Sequence, residues 1–264
     1  MKITIKDKEV SMSDYIYQNM MGLRRLVEKN FDGVVLVDGM EGSGKSELAK
    51  QCCLVLDKNF NHNKVVYTVD QFYEAVDKAR PGSCILWDEF VFGGLSTEAL
   101  SKVQTALIKK FTVIRQKQLI IFLVIPYIFL LRKYFAVART RFLMHVYTKG
   151  EKRGLMAFYN YDEKLWLYNW GFKTWTYNPK VIPTFRTTFS NWSGQFLDED
   201  AITAKKMSAL DDIGAKDEKN IVPSKKVARI ILDMNFSAIL ERNSSPYRLM
   251  QLYKEKLRAY LAES

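Results

Sequence analysis

Eight consecutive residues, Gly39-Met40-Glu41-Gly42-Ser43-Gly44-Lys45-Ser46, fit the pattern G-x-x-x-x-G-K-[ST] in full. The chemistry of that spacing is anion binding. Successive backbone N–H groups of such a loop, with those of the helix that follows, converge on phosphate oxygens, and the glycines let the chain come close enough. Lys45 would reach the β and γ oxygens, and the Ser46 hydroxyl would ligate Mg²⁺. The expected contact set is Gly39, Glu41, Gly42, Ser43, Gly44, Lys45, Ser46 and Glu47, and the ligand it fits is ATP with Mg²⁺. A second constellation follows in Cys84-Ile85-Leu86-Trp87-Asp88-Glu89, an apolar run that ends in two carboxylates. Asp88 would hold Mg²⁺ through water, and Glu89 would orient and polarise the water that attacks the γ-phosphate. On its own such a run is a weak signal; downstream of a complete phosphate loop it becomes a strong one.

These residues need strands that end at them and a helix that begins at the loop. The run Val34 to Val37 predicts a strand entering the loop, and Ser46 to Leu56 has helical spacing in Leu48, Cys52 and Val55. Further strands are expected at 65–68, 84–87, 119–124 and 142–147, with helices at about 70–80, 97–111 and 128–139. Continuous apolar strands alternating with helices indicate a parallel sheet covered on both faces. Ahead of this lie a short strand at 2–6 and an amphipathic helix at 13–29 with Ser13 or Asp14 as N-cap. Past Gly150 the aromatics Phe158, Tyr159, Tyr161, Trp166, Tyr168, Trp170, Phe172, Trp175 and Tyr177 alternate with polar residues. That pattern predicts a separate antiparallel meander. A polar stretch at 197–225 then leads to a helical unit at 224–262, in which residues 235–250 look like a helix-turn-helix. Arg248, Lys254, Lys256 and Arg258 on its second helix suit nucleic-acid phosphates.

The loop, the DE strand and the single strand expected between them resemble the P-loop NTPase superfamily, in its branch with an additional catalytic glutamate. That branch includes RecA-like, FtsK/HerA-like and AAA+ ATPases. The run VIRQKQLIIFLVIPYIFLLRKYFAVARTRF is similar to the corresponding part of the zonula occludens toxin-like ATPases of phages, viruses and plasmids. The resemblance covers residues 30–150. It implies that strand 119–124 is inserted centrally and ends in a polar sensor residue; here it ends Val124-Ile125-Pro126, so no sensor carries over. It also implies an arginine donated from a neighbouring subunit, for which Arg115, Arg139 and Arg141 are the candidates. The expected architecture is therefore an α/β P-loop NTPase with a three-layer parallel sheet (1–150), a small antiparallel β-meander (151–196), and a linker with a helical unit (197–264).

Charge completes the reading. The formal net charge is +11, and from Ala99 to Gly150 there is no Asp or Glu, while Lys102, Lys109, Lys110, Arg115, Lys117, Arg132, Lys133, Arg139, Arg141 and Lys149 contribute ten positive charges. An acid-free stretch of that length suits phosphate, from nucleotide or nucleic acid. Three cysteines, two of them adjacent, make no disulfide framework, and the N-terminus MKITIKDKEV is no secretory signal, so an intracellular, cytoplasmic protein is expected. The two histidines, His62 and His145, are too far apart in sequence to suggest a zinc site or a triad. The apolar run Leu119–Leu131 has thirteen residues, against the ~20 that a spanning helix needs. The function expected is an ATP-hydrolysing motor or remodelling protein acting on DNA for a mobile element, as a homo-oligomer. A membrane-associated assembly or secretion ATPase, and a P-loop small-molecule kinase with Arg132, Arg139 and Arg141 as a lid, are the alternatives.

Overall fold

A computed structural model describes residues 1–31, 33–89, 105, 108–110, 112–177, 180–220, 254, 255, 258 and 262. The chain divides into two compact units, Met1–Ala204 and Lys205–Ser264. In the second, the helix running to Asn220 and the later helical residues 254, 255, 258 and 262 are described. The expected helix-turn-helix at 235–250 and most of the expected helix at 97–111 lie outside the described residues.

The first unit opens with a hairpin, β1 (Lys2–Ile5) and β2 (Lys8–Ser11), where one strand was expected. Its turn places Lys6 and Asp7 at φ of 43° and 68°, which local side-chain alternation does not signal. Helix α1 (Asp14–Glu28) buries Ile16, Met20, Leu23 and Val27, the one-face spacing that makes an amphipathic helix. Ser13 stands at its N-cap position but makes no capping bond; its hydroxyl accepts from Thr187 Oγ1 at 2.8 Å.

Then come β3 (Gly33–Asp38), α2 (Lys45–Leu56), β4 (Val65–Val66), α3 (Val69–Lys78), β5 (Cys84–Trp87), β6 (Ile120–Ile125), β7 (Leu143–Lys149) and β8 (Lys152–Tyr159). Helix α4 (Tyr161–Gly171), β9 (Phe185–Thr188) and α5 (Glu199–Asn220) follow. Seven strands form one sheet in the order β4-β5-β6-β3-β7-β8-β9. The five from β4 to β7 are parallel, and β8 and β9 are added antiparallel at one edge. Every residue of β3, β5 and β6 is buried, as continuous apolar strands with both faces covered must be. Strand β6 lies between β3 and β5. Among the described residues no helix is long and apolar enough to cross a membrane. The apolar run at 119–131 is instead β6, Pro126 and a single 3₁₀ turn at Ile128–Leu130.

Two expectations are corrected. The segment 128–139 is no α-helix: after the 3₁₀ turn, Tyr134–Ala138 forms a π-helical turn. The separate meander is absent as well, because β8 and β9 extend the main sheet and the aromatic segment between them is α4. Its capping box, with the Asn160 side chain accepting from Asp162 and Glu163 N–H groups and Glu163 accepting from Asn160 N at 3.1 Å, starts a helix inside the segment expected to be a meander. The residues it buries, Lys164, Leu167, Tyr168 and Gly171, repeat at helical spacing; the apparent alternation came from the exposed Trp166 and Trp170. A lysine holds one of those core positions. Lys164 is fully buried, and its ammonium donates to Val137 O at 3.1 Å, to Thr140 Oγ1 at 2.7 Å and to Thr140 O, tying α4 to the end of the π turn.

Burial, reinforced by the nearby Arg141 charge, pushes the Lys164 pKa down to about 7, whereas an unfolded lysine titrates near ~10.4. Between those values the unfolded chain holds a proton that the folded chain lacks, so this group makes stability rise as pH climbs from 7 towards 10. Urea denaturation of wild type and Lys164→Met across that range should show the rise in the former and a flatter profile in the latter.

Candidate phosphate-binding site

Strand β3 ends at the fully buried Asp38, and the chain turns at once into the glycine-rich loop. Gly39 has φ +140°, and a Cβ placed there would lie 1.9 Å from Val146 O, so only glycine fits between β3 and β7. Its N–H donates to Pro126 O at 3.3 Å, at the position where a sensor residue would stand. Gly44, at φ +103°, is the N-cap of α2, whose first turn is Lys45, Ser46 and Glu47. Inside the loop the Met40 carbonyl accepts from Ser43 N at 3.3 Å, Ser43 Oγ at 2.7 Å and Lys45 Nζ at 2.8 Å. Burial lowers the Lys45 pKa, and the carboxylates of Asp88, Asp38, Glu41 and Glu89 oppose that shift.

Across the sheet, β5 delivers Asp88 and Glu89 to the same edge. Ser46 Oγ donates to Asp88 Oδ1 at 2.8 Å, joining the first turn of α2 to the end of β5. The same oxygen accepts Glu89 N–H at 3.2 Å, and Asp88 N–H donates to Val66 O at 3.0 Å. Asp88 is buried, while Glu89 is partly exposed with φ +50°, a left-handed conformation that a non-glycine residue holds only at a cost. The structure thus brings together Gly39, Gly42, Ser43, Gly44, Lys45, Ser46, Asp88 and Glu89. An anion cradle beside a hydroxyl and a carboxylate in contact fits phosphate with a hard, oxygen-seeking cation. Glu41 stands exposed on the loop.

Glu47 has a different task from the one expected. Its Oε1 accepts from Gln51 Nε2 at 2.6 Å and from the N–H groups of Trp192 and Ser193, each at 2.9 Å, so its carboxylate is committed to holding residues 192–193 on α2. Two of the arginines proposed for the site, Arg141 and Arg115, stand at the strand-starting edge, and Arg139 caps the π turn. Arg141 N–H donates to Val34 O at 2.8 Å, four residues before Asp38, and its guanidinium lies over the Phe31 ring at 5.2 Å. At a rise of ~3.3 Å per residue that level is about 13 Å below the loop. Arg115 precedes β6, whose first residue pairs with Gly33 at the strand-starting edge. Of the proposed nucleic-acid residues, Lys254 is helical and buried and Arg258 is helical and exposed; Arg248 and Lys256 lie outside the described residues.

The sequence reading missed the group beneath the loop. Asp38 accepts Ile128 N–H at 3.0 Å and the Tyr177 hydroxyl, and His145 Nδ1 lies 2.9 Å from its Oδ1. His145 is the β7 residue in register with Asp38, and its ring packs on Tyr177 at 4.0 Å. Residues 107 and 139 positions away leave no spacing signal. No protein-family model and no curated protein sequence matches this chain.

Asp38→Ala leaves the buried Ile128 N–H and the partly buried His145 and Tyr177 groups without their acceptor. It should lower unfolding stability by about 3 kcal/mol in urea denaturation, at the upper end of the cost of stranding buried polar groups. Gly39→Ala should unfold the loop locally, read as faster amide hydrogen exchange at residues 39–46.

Proposed function

We propose that the chain is a Mg²⁺-dependent ATPase of the P-loop class that works on nucleic acid. The observation that carries this reading is the 2.8 Å bond from Ser46 Oγ to Asp88 Oδ1, which sets a hydroxyl and a carboxylate side by side at the mouth of an anion cradle, with a second carboxylate next in sequence. The strand order, with β6 between β3 and β5, supports it too, because it sets the loop and Asp88 on strands separated by one neighbour at their carboxyl ends. The residues divide the work. Loop N–H groups and Lys45 would bind and neutralise the phosphates; Ser46 and Asp88 would hold Mg²⁺, which would supply further charge neutralisation. Glu89 would accept a hydrogen bond from the attacking water and take its proton as the oxygen bonds to the γ-phosphorus, the role of a general base.

Nucleic acid as the partner rests on charge. At the opposite, strand-starting edge, a cleft of about 580 Å³ is lined by Arg24, Lys58, Lys64, Lys78 and Arg80, with Asp57 as its one acid. Asp57 is already paired with Lys64 at 2.6 Å. The carbonyls ending α3 are satisfied by Lys117, whose Nζ reaches Val76 O at 3.0 Å and Asp77 O at 2.8 Å, so Lys78 and Arg80 are not needed as caps. With the acid-free segment after residue 99, this gives a cationic end suited to a phosphodiester backbone, DNA being the expected strand. The distance of Arg115 and Arg141 from the loop of their own chain favours a homo-oligomer in which one of them, or Arg139, serves a neighbouring site.

Lys45→Ala should abolish ATP binding, whereas Glu89→Gln should bind ATP and hydrolyse it about 100- to 10,000-fold more slowly, the span of general-base contributions. Filter binding and phosphate release separate the two; wild-type turnover by Glu89→Gln removes the base assignment. For the partner, anisotropy of labelled single- and double-stranded DNA over a salt series should give a slope of log affinity that shrinks by about 2 in the double variant Lys58→Glu/Arg80→Glu. Nucleotide affinity measured in parallel reports whether the other edge of the sheet is intact.

A further inference from the structure

Tyr67 follows β4 directly and stands one position beyond the Val66–Trp87 pair, level with Asp88 on the neighbouring strand. Side chains alternate along strands, so Tyr67 and Asp88 share the face opposite that of Trp87. Trp87 stacks on Phe72 of α3 at 4.6 Å, and Asp88 meets Ser46 of α2. The Tyr67 backbone is fully occupied: its N–H donates to Gln71 Oε1 at 3.0 Å and its carbonyl accepts from Trp87 Nε1 at 3.2 Å. Its hydroxyl is not. Tyr67 is 2% exposed, and its Oη is buried with no hydrogen-bond partner among the described residues. A buried hydroxyl left unsatisfied is rare in folded proteins and points to a partner brought by ligand or water.

The surroundings say what that partner is. The carboxylates nearest in charge are Asp88, Glu89 and Glu199, and Glu199 is held by Lys50, one turn along α2 from Ser46, at 2.6 Å. Burial and these three charges push the phenol's pKa well up, so it stays a neutral donor and acceptor rather than a base. A neutral hydroxyl at the rim of an oxygen-ligand site suits a metal-bound water, whose protons are acidic and whose place is fixed by the cation. We propose that the Tyr67 hydroxyl hydrogen-bonds a water in the hydration shell of the Mg²⁺ held by Ser46 and Asp88, and so positions the cation for the nucleotide. This rests on the Mg²⁺-ATPase reading above. Tyr67 is a positioning residue: it acts on the cation through water.

The test uses the full chain and Tyr67→Phe, which removes one atom. Without nucleotide, the variant should melt at the same temperature as wild type or higher, because an unsatisfied hydroxyl is lost. Titrated with ADP and Mg²⁺, it should bind about three- to tenfold more weakly than wild type, the effect of one hydrogen bond; titrated with ADP in EDTA, the two should bind alike. Equal affinity with Mg²⁺, an equal loss with and without Mg²⁺, or a lower melting temperature in the nucleotide-free variant each overturns the proposal. So does a loss confined to a non-hydrolysable ATP analogue, which would put the hydroxyl on the γ-phosphate. Wild type that gains no ADP affinity from Mg²⁺ overturns the ATPase reading itself, and this proposal with it.

Discussion

A carboxylate with no exposure to water stands under the phosphate loop, and the loop's shape depends on how its lone pairs are met. Asp38 ends the central strand β3 and draws its donors from three other parts of the chain: Ile128 N–H after β6, His145 on β7 and the Tyr177 hydroxyl beyond α4. Burying such a group is tolerable only when its oxygens are satisfied. The requirement therefore fixes the ends of β6 and β7 and the residues after α4 against one point. Gly39 leaves that point through a gap bounded by Val146 O and Pro126 O, where a side chain has no room. A loop held from beneath in this way presents its N–H groups in one arrangement, which is what an anion cradle requires.

The parallel core separates two groups of side chains by the height of the sheet. Glycine loop, Asp88 and Glu89 gather where strands end; Arg24, Lys58, Lys78, Arg80 and Arg141 gather where strands begin. Residues that reach the first edge cannot come from the second within one chain. Among the described residues, Lys45 is thus the cation from this chain's own basic complement placed inside the cradle, where the Asp88, Asp38, Glu41 and Glu89 charges counter the cost of its burial.

What could be read from sequence was what is local. The loop pattern, the apolar runs of β3, β5 and β6, and the face of α1 each specify their structure within a dozen residues, and each element forms where expected. Helix α4 was missed because Lys164 occupies a core position that no hydropathy pattern assigns to lysine, while Trp166 and Trp170 point outward. Its capping residues, Asn160 and Glu163, were the overlooked local signal. Asp38, His145, Tyr177 and the clamp from Glu47 to residues 192–193 are long-range pairings, and one sequence carries no periodicity that announces them. The loop pattern also hid the division inside α2: Ser46 faces the acid of β5, whereas its neighbour Glu47 faces the chain after β9.

Asp88 Oδ1 links cation binding to the general base on the ATPase reading. That single oxygen accepts both the Ser46 hydroxyl at 2.8 Å and the Glu89 N–H at 3.2 Å. If Ser46 and Asp88 held a cation, the bond from the serine hydroxyl to Oδ1 would be given up, while the N–H of Glu89 would still meet the same carboxylate. The backbone at Glu89 already stands in a left-handed conformation at φ +50°, costing about 1–3 kcal/mol, so any stronger hold from Asp88 is a stronger hold on that conformation. Metal occupancy and the aim of the water-polarising carboxylate are then two ends of one hydrogen-bond exchange. Because Glu89 follows Asp88 directly, its own N–H reaches the carboxylate that would hold the metal on that reading.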